Sequence, residues 1–328
     1  MFSLDKNPSL SCMRFNIFIK LALLYVLTIC FMSFDTGIIF YNLHLFIFKI
    51  KDKYSSMKTI GITGGKGGTG KSTIATALAC KLAKSSRVLL ADMDADCPND
   101  HLLLNIKREK RETVFQRIPK FDFKKCTKCG MCSVVCKSNA IVCINNNYPV
   151  FIKQQCNGCG ACHVKCPTGA ITWSKKEIGC IWQSKGCNMD LISCELKINE
   201  PVSELVVDTA KKIIEKEKNK YDYVLVDTAA GTHCDVICAL SGCDFVLAVT
   251  EATPLGMHDL NLIEELLDKM KLPYELVLNR YEPKNKLPEK KFIAKIRYKK
   301  EIMESYSKGV PVEDETINKI ADFIIAKK

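Results

Sequence analysis

Gly64-Gly65-Lys66-Gly67-Gly68-Thr69-Gly70-Lys71-Ser72, with Thr73 after it, decides the reading of this 328-residue chain. Within the stretch, Gly65, Gly70, Lys71 and Ser72 satisfy G-x-x-x-x-G-K-[ST]. In that spacing, glycines without a Cβ let successive backbone N–H groups curl around an anion. The lysine reaches the outer phosphates and the hydroxyl holds Mg²⁺. Both flanks suit the loop: Thr59 to Thr63 reads as a short buried strand, and Ser72 to Lys84 has the apolar spacing of a helix. The positive end of that helix dipole adds about half an elementary charge to the anion site.

Lys66 stands where an ordinary phosphate loop has no need of a lysine. With it, Lys-Gly-Gly-x-Gly-Lys-[ST] resembles the deviant Walker A motif of the MinD/ParA-like P-loop ATPases. The resemblance covers most of residues 57–328, apart from an insert. It implies ATP and Mg²⁺ as cofactors, a homodimer with ATP at its interface, and Lys66 reaching across to the partner's nucleotide. Gly64 to Thr73 would make the phosphate contacts, Lys71 serving in catalysis as well as binding.

Two acidic strand ends extend the same pattern. Arg87 to Ala91 reads as a second buried strand, and Asp92-Met93-Asp94-Ala95-Asp96 follows at its carboxyl end, where open parallel sheets collect ligands. By resemblance Asp94 is the acid that positions the attacking water; Asp92 and Asp96 fit a helix cap or a solvated turn as readily. Tyr223 to Asp227 is an apolar strand ending in an acid, followed by Thr228-Ala229-Ala230-Gly231. This matches the family's Asp-Thr-x-x-Gly, in which Asp227 binds Mg²⁺ through a water and the turn senses the γ-phosphate. Asn279-Arg280 resembles the Asn-Arg that reads the adenine edge.

Eight of the nineteen cysteines form a repeat. Cys126, Cys129, Cys132 and Cys136 give C-x₂-C-x₂-C-x₃-C, and Cys156, Cys159, Cys162 and Cys166 repeat it thirty residues later, with Pro167 behind the last. The paired halves resemble a ferredoxin of the two-cluster 4Fe-4S type. Three closely spaced thiolates wrap one cube while the fourth is carried across to the other. One set is therefore Cys126, Cys129, Cys132 and Cys166, the other Cys156, Cys159, Cys162 and Cys136. Ile141 to Ile144 and Val150 to Ile152 read as a covering hairpin, with Cys143 a packed strand residue. Lys137 departs from the pattern by standing where a proline often follows the fourth cysteine. Cys180, Cys187 and Cys194 have no established ligand spacing and read as buried free thiols.

The net charge is +12, which taken alone suggests an anionic partner. Between Lys120 and Lys176, however, nine lysines accompany one acid, Asp122, and two oxidised clusters with their thiolates would offset about half of that excess. The basic run Lys284 to Lys300 lacks the interleaved aromatics of a nucleic-acid face, so nucleic acid is not favoured. Scattered cysteines suit a reducing cytoplasm.

Residues 1–56 differ in composition, holding eight of the fifteen phenylalanines. Phe15 to Phe34 is a largely apolar run of bilayer-spanning length. It reads either as a membrane anchor or as translated upstream DNA ahead of a start at Met57. The expected organisation is thus an apolar segment at 1–56, an ATPase at 57–118 and 176–328, and a cluster-binding insert at 119–175. The expected fold class is α/β, a doubly wound and mainly parallel sheet with an inserted small α+β ferredoxin-type domain. Function is expected to be ATP-dependent closure of a dimer that gates electrons to a redox partner protein. Cluster carriage and MinD/ParA-like positioning are the competing readings.

Overall fold

The computed structural model describes residues 58–144, 146–283 and 289–327, so the apolar segment 1–56 lies outside the described residues. A nine-stranded sheet organises the chain. It comprises β1 (Thr59–Thr63), β2 (Val88–Asp92), β3 (Glu109–Phe121), β6 (Ile171–Gly186), β7 (Met189–Leu196), β8 (Tyr223–Asp227), β9 (Phe245–Glu251), β10 (Tyr274–Tyr281) and β11 (Ala294–Arg297), in the order β11-β10-β9-β1-β8-β2-β7-β6-β3. β4 (Ile141–Val142) and β5 (Val150–Phe151) form a separate antiparallel hairpin. The pairs from β11 to β7 are all parallel; β7–β6 and β6–β3 are antiparallel.

Both faces of the parallel portion are covered, and the strand period of two decides which residue feeds which core. Ile60, Ile62, Leu90, Tyr223, Leu225, Phe245 and Leu247 face α1 (Lys71–Leu82) and α9 (Glu315–Ala326). Leu89, Ala91, Val224, Val226, Val246 and Ala248 face α5 (Glu204–Glu217), α6 (Cys234–Leu240) and α7 (Pro254–Met270). Each fully buried aliphatic side chain contributes on the order of 2 kcal/mol. The helices are started by the residues their sequences provide. Thr253 accepts from Gly256 N (3.0 Å) ahead of Pro254, and Asp314 accepts from Thr316 N (2.7 Å). The apolar side of α9, Ile317, Ile320, Ala321 and Ile324, is spent on the core. Among the described residues no helix is long and apolar enough to cross a membrane.

The antiparallel edge departs from the expected boundaries. β3 and β6 pair from Glu109↔Gln183 to Phe121↔Ile171, running through both 118/119 and 175/176. What leaves the sheet is residues 122–170. Neither strand is an apolar run: β3 begins with the exposed charges of Glu109, Lys110, Arg111 and Glu112, and Pro119 sits within it. An outermost strand accommodates both, since charges blunt a free edge and a proline there leaves no ladder bond unmade. Short helices α2 (Asp100–Leu103), α3 (Met131–Val134) and α4 (Ala161–Val164), with α8 (Lys300–Lys308), are the remaining α-helices of the described residues.

Candidate functional site

The glycine loop joins the carboxyl end of β1 to α1. Gly70 caps that helix at φ 88°, and a Cβ on it would meet Asn279 Nδ2 at 2.2 Å, so the position requires glycine on both counts. Asn279 Nδ2 donates to the Thr69 carbonyl (2.7 Å), and Lys71 Nζ donates to the Lys66 carbonyl (3.3 Å). The loop is thereby tied to β10 and to its own lysine. Lys71 is buried; burial lowers its pKa, with Asp227 and Asp94 opposing the shift. The Lys66 ammonium makes no ion pair among the described residues, and its side chain is half-buried.

Gly67, Gly68, Gly70, Lys71, Ser72 and Thr73 line a cavity of about 330 Å³ whose far wall includes Asp94, Asn279, Tyr298 and Met303. Gly64, Gly65 and Thr69 do not line it. Thr69 is buried, and a Cβ on Gly64 or Gly65 would strike the Val249 carbonyl or Asp259. After β8, Gly231 N donates to the Gly64 carbonyl (3.1 Å), linking the candidate switch to the loop. Asn279 lines the cavity as the sequence suggests, but its amide nitrogen is already engaged in holding Thr69.

The acids arrange differently from the sequence reading. Asp92, Asp100 and Asp227 bring carboxylate oxygens within 4.8 Å of one another, all three buried. Asp92 accepts from Asp94 N (3.3 Å) and Asp100 N (3.1 Å), while the carboxylate oxygens of Asp100 and Asp227 have no hydrogen-bond partner among the described residues. Burial raises the Asp92 and Asp100 carboxyls well above their ordinary range. It raises Asp227 to about 7, against the nearby Ser72 hydroxyl and Lys71 ammonium that favour its charge. Asp94 stands at the cavity, half-buried, with Cys97 N donating to it (3.2 Å). Asp96 is exposed, as a solvated turn acid is. Asp100 escaped sequence reading. Its only signal was an acid eight residues after Asp92, behind Pro98-Asn99. Three carboxylates beside the Ser72 hydroxyl are an oxygen donor set suited to a hard divalent cation.

The eight cysteines lie beyond the ends of β3 and β6. Cys166 lines one small cavity with Cys126, Cys129 and Cys132. Cys136 is not in that cavity's lining; it packs against the apolar clusters that hold Cys156 and Cys162, the second of which Cys132 and Cys166 also join. No three cysteines of the described residues bring their sulfurs within 4.8 Å of one another. Each half turns on a left-handed glycine, Gly130 (φ 73°) and Gly160 (φ 79°), which opens α3 and α4.

Cys143 sits just past β4, with Sγ 4.0 Å from Cys132 Sγ, and is a thiol neighbour of the first set rather than a packed strand residue. Cys187 also departs from expectation, being exposed in the β6–β7 turn, whereas Cys194 is buried. Polar residues of the edge strands close in behind the second set. Lys176 Nζ donates to the carbonyls of Lys153 (3.0 Å) and Cys156 (3.5 Å), and the Gln116 amide rests against Gly158.

A family model for the CobQ/CobB/MinD/ParA nucleotide-binding domain matches residues 60–312. The chain belongs to this family. It is similar to two proteins of Methanocaldococcus jannaschii. Uncharacterized protein MJ0579 is 36% identical over 261 residues, 78% of this chain and 91% of that one. Uncharacterized protein MJ0578 is 33% identical over 222 residues, 67% and 77% respectively. Among solved structures it resembles the septum site-determining protein MinD complexed with Mg-ADP from Pyrococcus horikoshii (TM-score 0.53, 19% identity, 81% of this chain and 95% of that one). It also resembles the cell division ATPase MinD of Pyrococcus furiosus (TM-score 0.53, 20% identity, 83% and 99%). The nucleotide-binding fold of the MinD/ParA ATPases, with its largely parallel sheet, is the fold of this chain.

Proposed function

We propose that this family member is an ATP-dependent iron–sulfur protein, in which nucleotide-driven closure of a homodimer gates electron transfer through two 4Fe-4S clusters. The observation that carries it is that Cys166, from the second repeat, lines one cavity with Cys126, Cys129 and Cys132 of the first, at the end of a ribbon continuous with the ATPase sheet. Cys126, Cys129, Cys132 and Cys166 would hold one cluster, and Cys156, Cys159, Cys162 and Cys136 the other. When bound, the clusters supply one-electron carriers.

On the nucleotide side, Gly64 to Thr73 would wrap the phosphates, Lys71 neutralising them and Ser72 with Asp227 holding Mg²⁺. Asp94, facing the cavity, would orient the attacking water. Lys66 would extend to the partner's nucleotide, which suits an ammonium without an ion pair of its own. The Gly231–Gly64 bond gives the switch a route by which the γ-phosphate would alter the carboxyl end of β8, the neighbour of β2. A reducing cytoplasm and a redox partner protein follow from this chemistry.

The test is anaerobic reduction of candidate acceptors with and without MgATP, alongside iron and sulfide content. ATP-dependent rates support the reading. Equal rates remove the gating, and a colourless reconstituted protein removes the clusters.

A second reading, MinD/ParA-like positioning with the clusters as a redox sensor, is favoured by the structural likeness to MinD. It requires attachment to a surface, and the apolar side of α9 is already committed to the core. Sedimentation with liposomes in ATP separates the two.

A further inference from the structure

The thirty-residue repeat makes the two cysteine sets near copies, and one of the positions at which the halves differ lies beside them. Counting from Cys132 in the first half leads to Cys143; the same count from Cys162 leads to Trp173. Trp173 packs on His163, with ring centroids 4.8 Å apart, and covers Gly160. Cys143 does something else. Its sulfur lies 4.0 Å from Cys132 Sγ, it lines the same cavity as Cys126, Cys129, Cys132 and Cys166, and it is half-buried. It belongs to neither C-x₂-C-x₂-C-x₃-C run.

Between two free thiols either could donate the hydrogen bond. Once Cys132 binds iron it is a thiolate with no proton, and only the Cys143 S–H remains to donate. A donor aimed at a ligand sulfur favours the reduced cluster, because the added electron density rests largely on the sulfurs. The second set has no thiol in the matching place, so the two sites are unequal.

We propose that Cys143 is a positioning and tuning residue whose S–H donates to Cys132 and raises the reduction potential of the cluster held by Cys126, Cys129, Cys132 and Cys166. This rests on the cluster reading above. The ordering of the two clusters then contains a contribution from one side chain that is not a ligand.

The experiment uses the full chain, reconstituted anaerobically with iron and sulfide, and follows its redox titration by EPR. Wild type is compared with Cys143→Ala and Cys143→Ser. Iron content comes first: wild type should carry about eight irons per chain. With Cys143→Ala one of the two reduction waves moves to more negative potential and the other stays. The wave that moves should be the one whose signal Cys129→Ala alters. Cys143→Ser, which keeps an O–H donor, should restore it most of the way.

If wild type holds both clusters and Cys143→Ala leaves both midpoints unchanged, the inference fails while the cluster reading stands. If Cys143→Ala and Cys143→Ser both lose a cluster, Cys143 is a ligand or a packing element and the donor role is overturned. If wild type takes up no iron, the cluster reading fails and the inference with it.

Discussion

Lys176 Nζ lies 2.6 Å from Glu200 Oε2, the lysine side chain being 2% exposed and the carboxylate 12%. The same ammonium bonds the carbonyls of Lys153 and Cys156, so one buried ion pair ties the cysteine-bearing segment to the loop ahead of α5. Removing one partner strands a charge in the interior, which typically costs about 3–5 kcal/mol. Glu200→Gln is expected to lower the unfolding midpoint strongly under anaerobic denaturation. The double change Lys176→Met with Glu200→Leu should cost much less, since no orphan charge is left. Equal losses would show that the pair itself is not what anchors the lobe.

Lys66 and Lys71 should separate by readout. Lys71→Ala is expected to weaken nucleotide binding about 100-fold, the loss of one charge-assisted phosphate contact of about 2–3 kcal/mol. Lys66→Ala should still bind ATP but stay monomeric in it. Equilibrium dialysis and light scattering with MgATP check the two.

Asn279 can be tested as a brace rather than a base reader. Its bond to the Thr69 carbonyl supports the loop, so Asn279→Ala should weaken ATP, GTP and inorganic triphosphate alike. A loss confined to adenine nucleotides would return Asn279 to the role its sequence context suggests.

The buried acids set a pH dependence for the metal-free, nucleotide-free chain. Burial lifts Asp92 and Asp100 well above the ordinary carboxyl range and Asp227 to about 7. A carboxyl with a raised folded-state pKa contributes stability that is complete below its unfolded value. That contribution is lost as pH rises through the folded value. For Asp227 the window runs from about 4 to about 7. The thermal midpoint should therefore fall between pH 5 and pH 8. Asp100→Asn should flatten that fall, gaining about 1–3 kcal/mol at pH 8 and almost nothing at pH 4. A midpoint that rises with pH over this range would show that the cluster is not the governing term.

At the helix start Asp314 the sign reverses. Burial opposes its charge, but Lys299 at 2.5 Å and the N–H groups of Thr316 and Ile317 outweigh it and lower its pKa. Its contribution is present above the ordinary value near 3.8 and disappears as pH falls below it. Asp314→Ala should cost about 2 kcal/mol at neutral pH and progressively less below pH 4. Guanidinium titrations at the two pH values measure the difference.

Much of the parallel sheet was readable because its strands are short apolar runs, Thr59 to Thr63 and Tyr223 to Asp227 among them, followed by glycine or acid at the carboxyl end. The glycine loop carried its own chemistry in its spacing. β3 and β6 were not readable. Their buried positions include Gln116 and Lys176, polar residues whose burial only tertiary partners explain, and alternation is weak where a strand lies at an edge. Asp100 was hidden for a related reason: its role comes from the turn that folds α2 back on β2, a long-range placement no local pattern records. Cys143 was visible as a cysteine, but its 4.0 Å approach to Cys132 depends on the hairpin.

Phe121 pairs with Ile171 at the last rung of the ribbon, so the chain departs and re-enters the sheet through a single doorway. A tight turn bridging that rung would keep every strand pairing inward of it but would take from the buried Lys176 its carbonyl partners on Lys153 and Cys156. The cysteine-bearing segment is in this sense cargo on a handle. Shedding it would leave the parallel strands paired and would fall on Lys176, left with Glu200 alone.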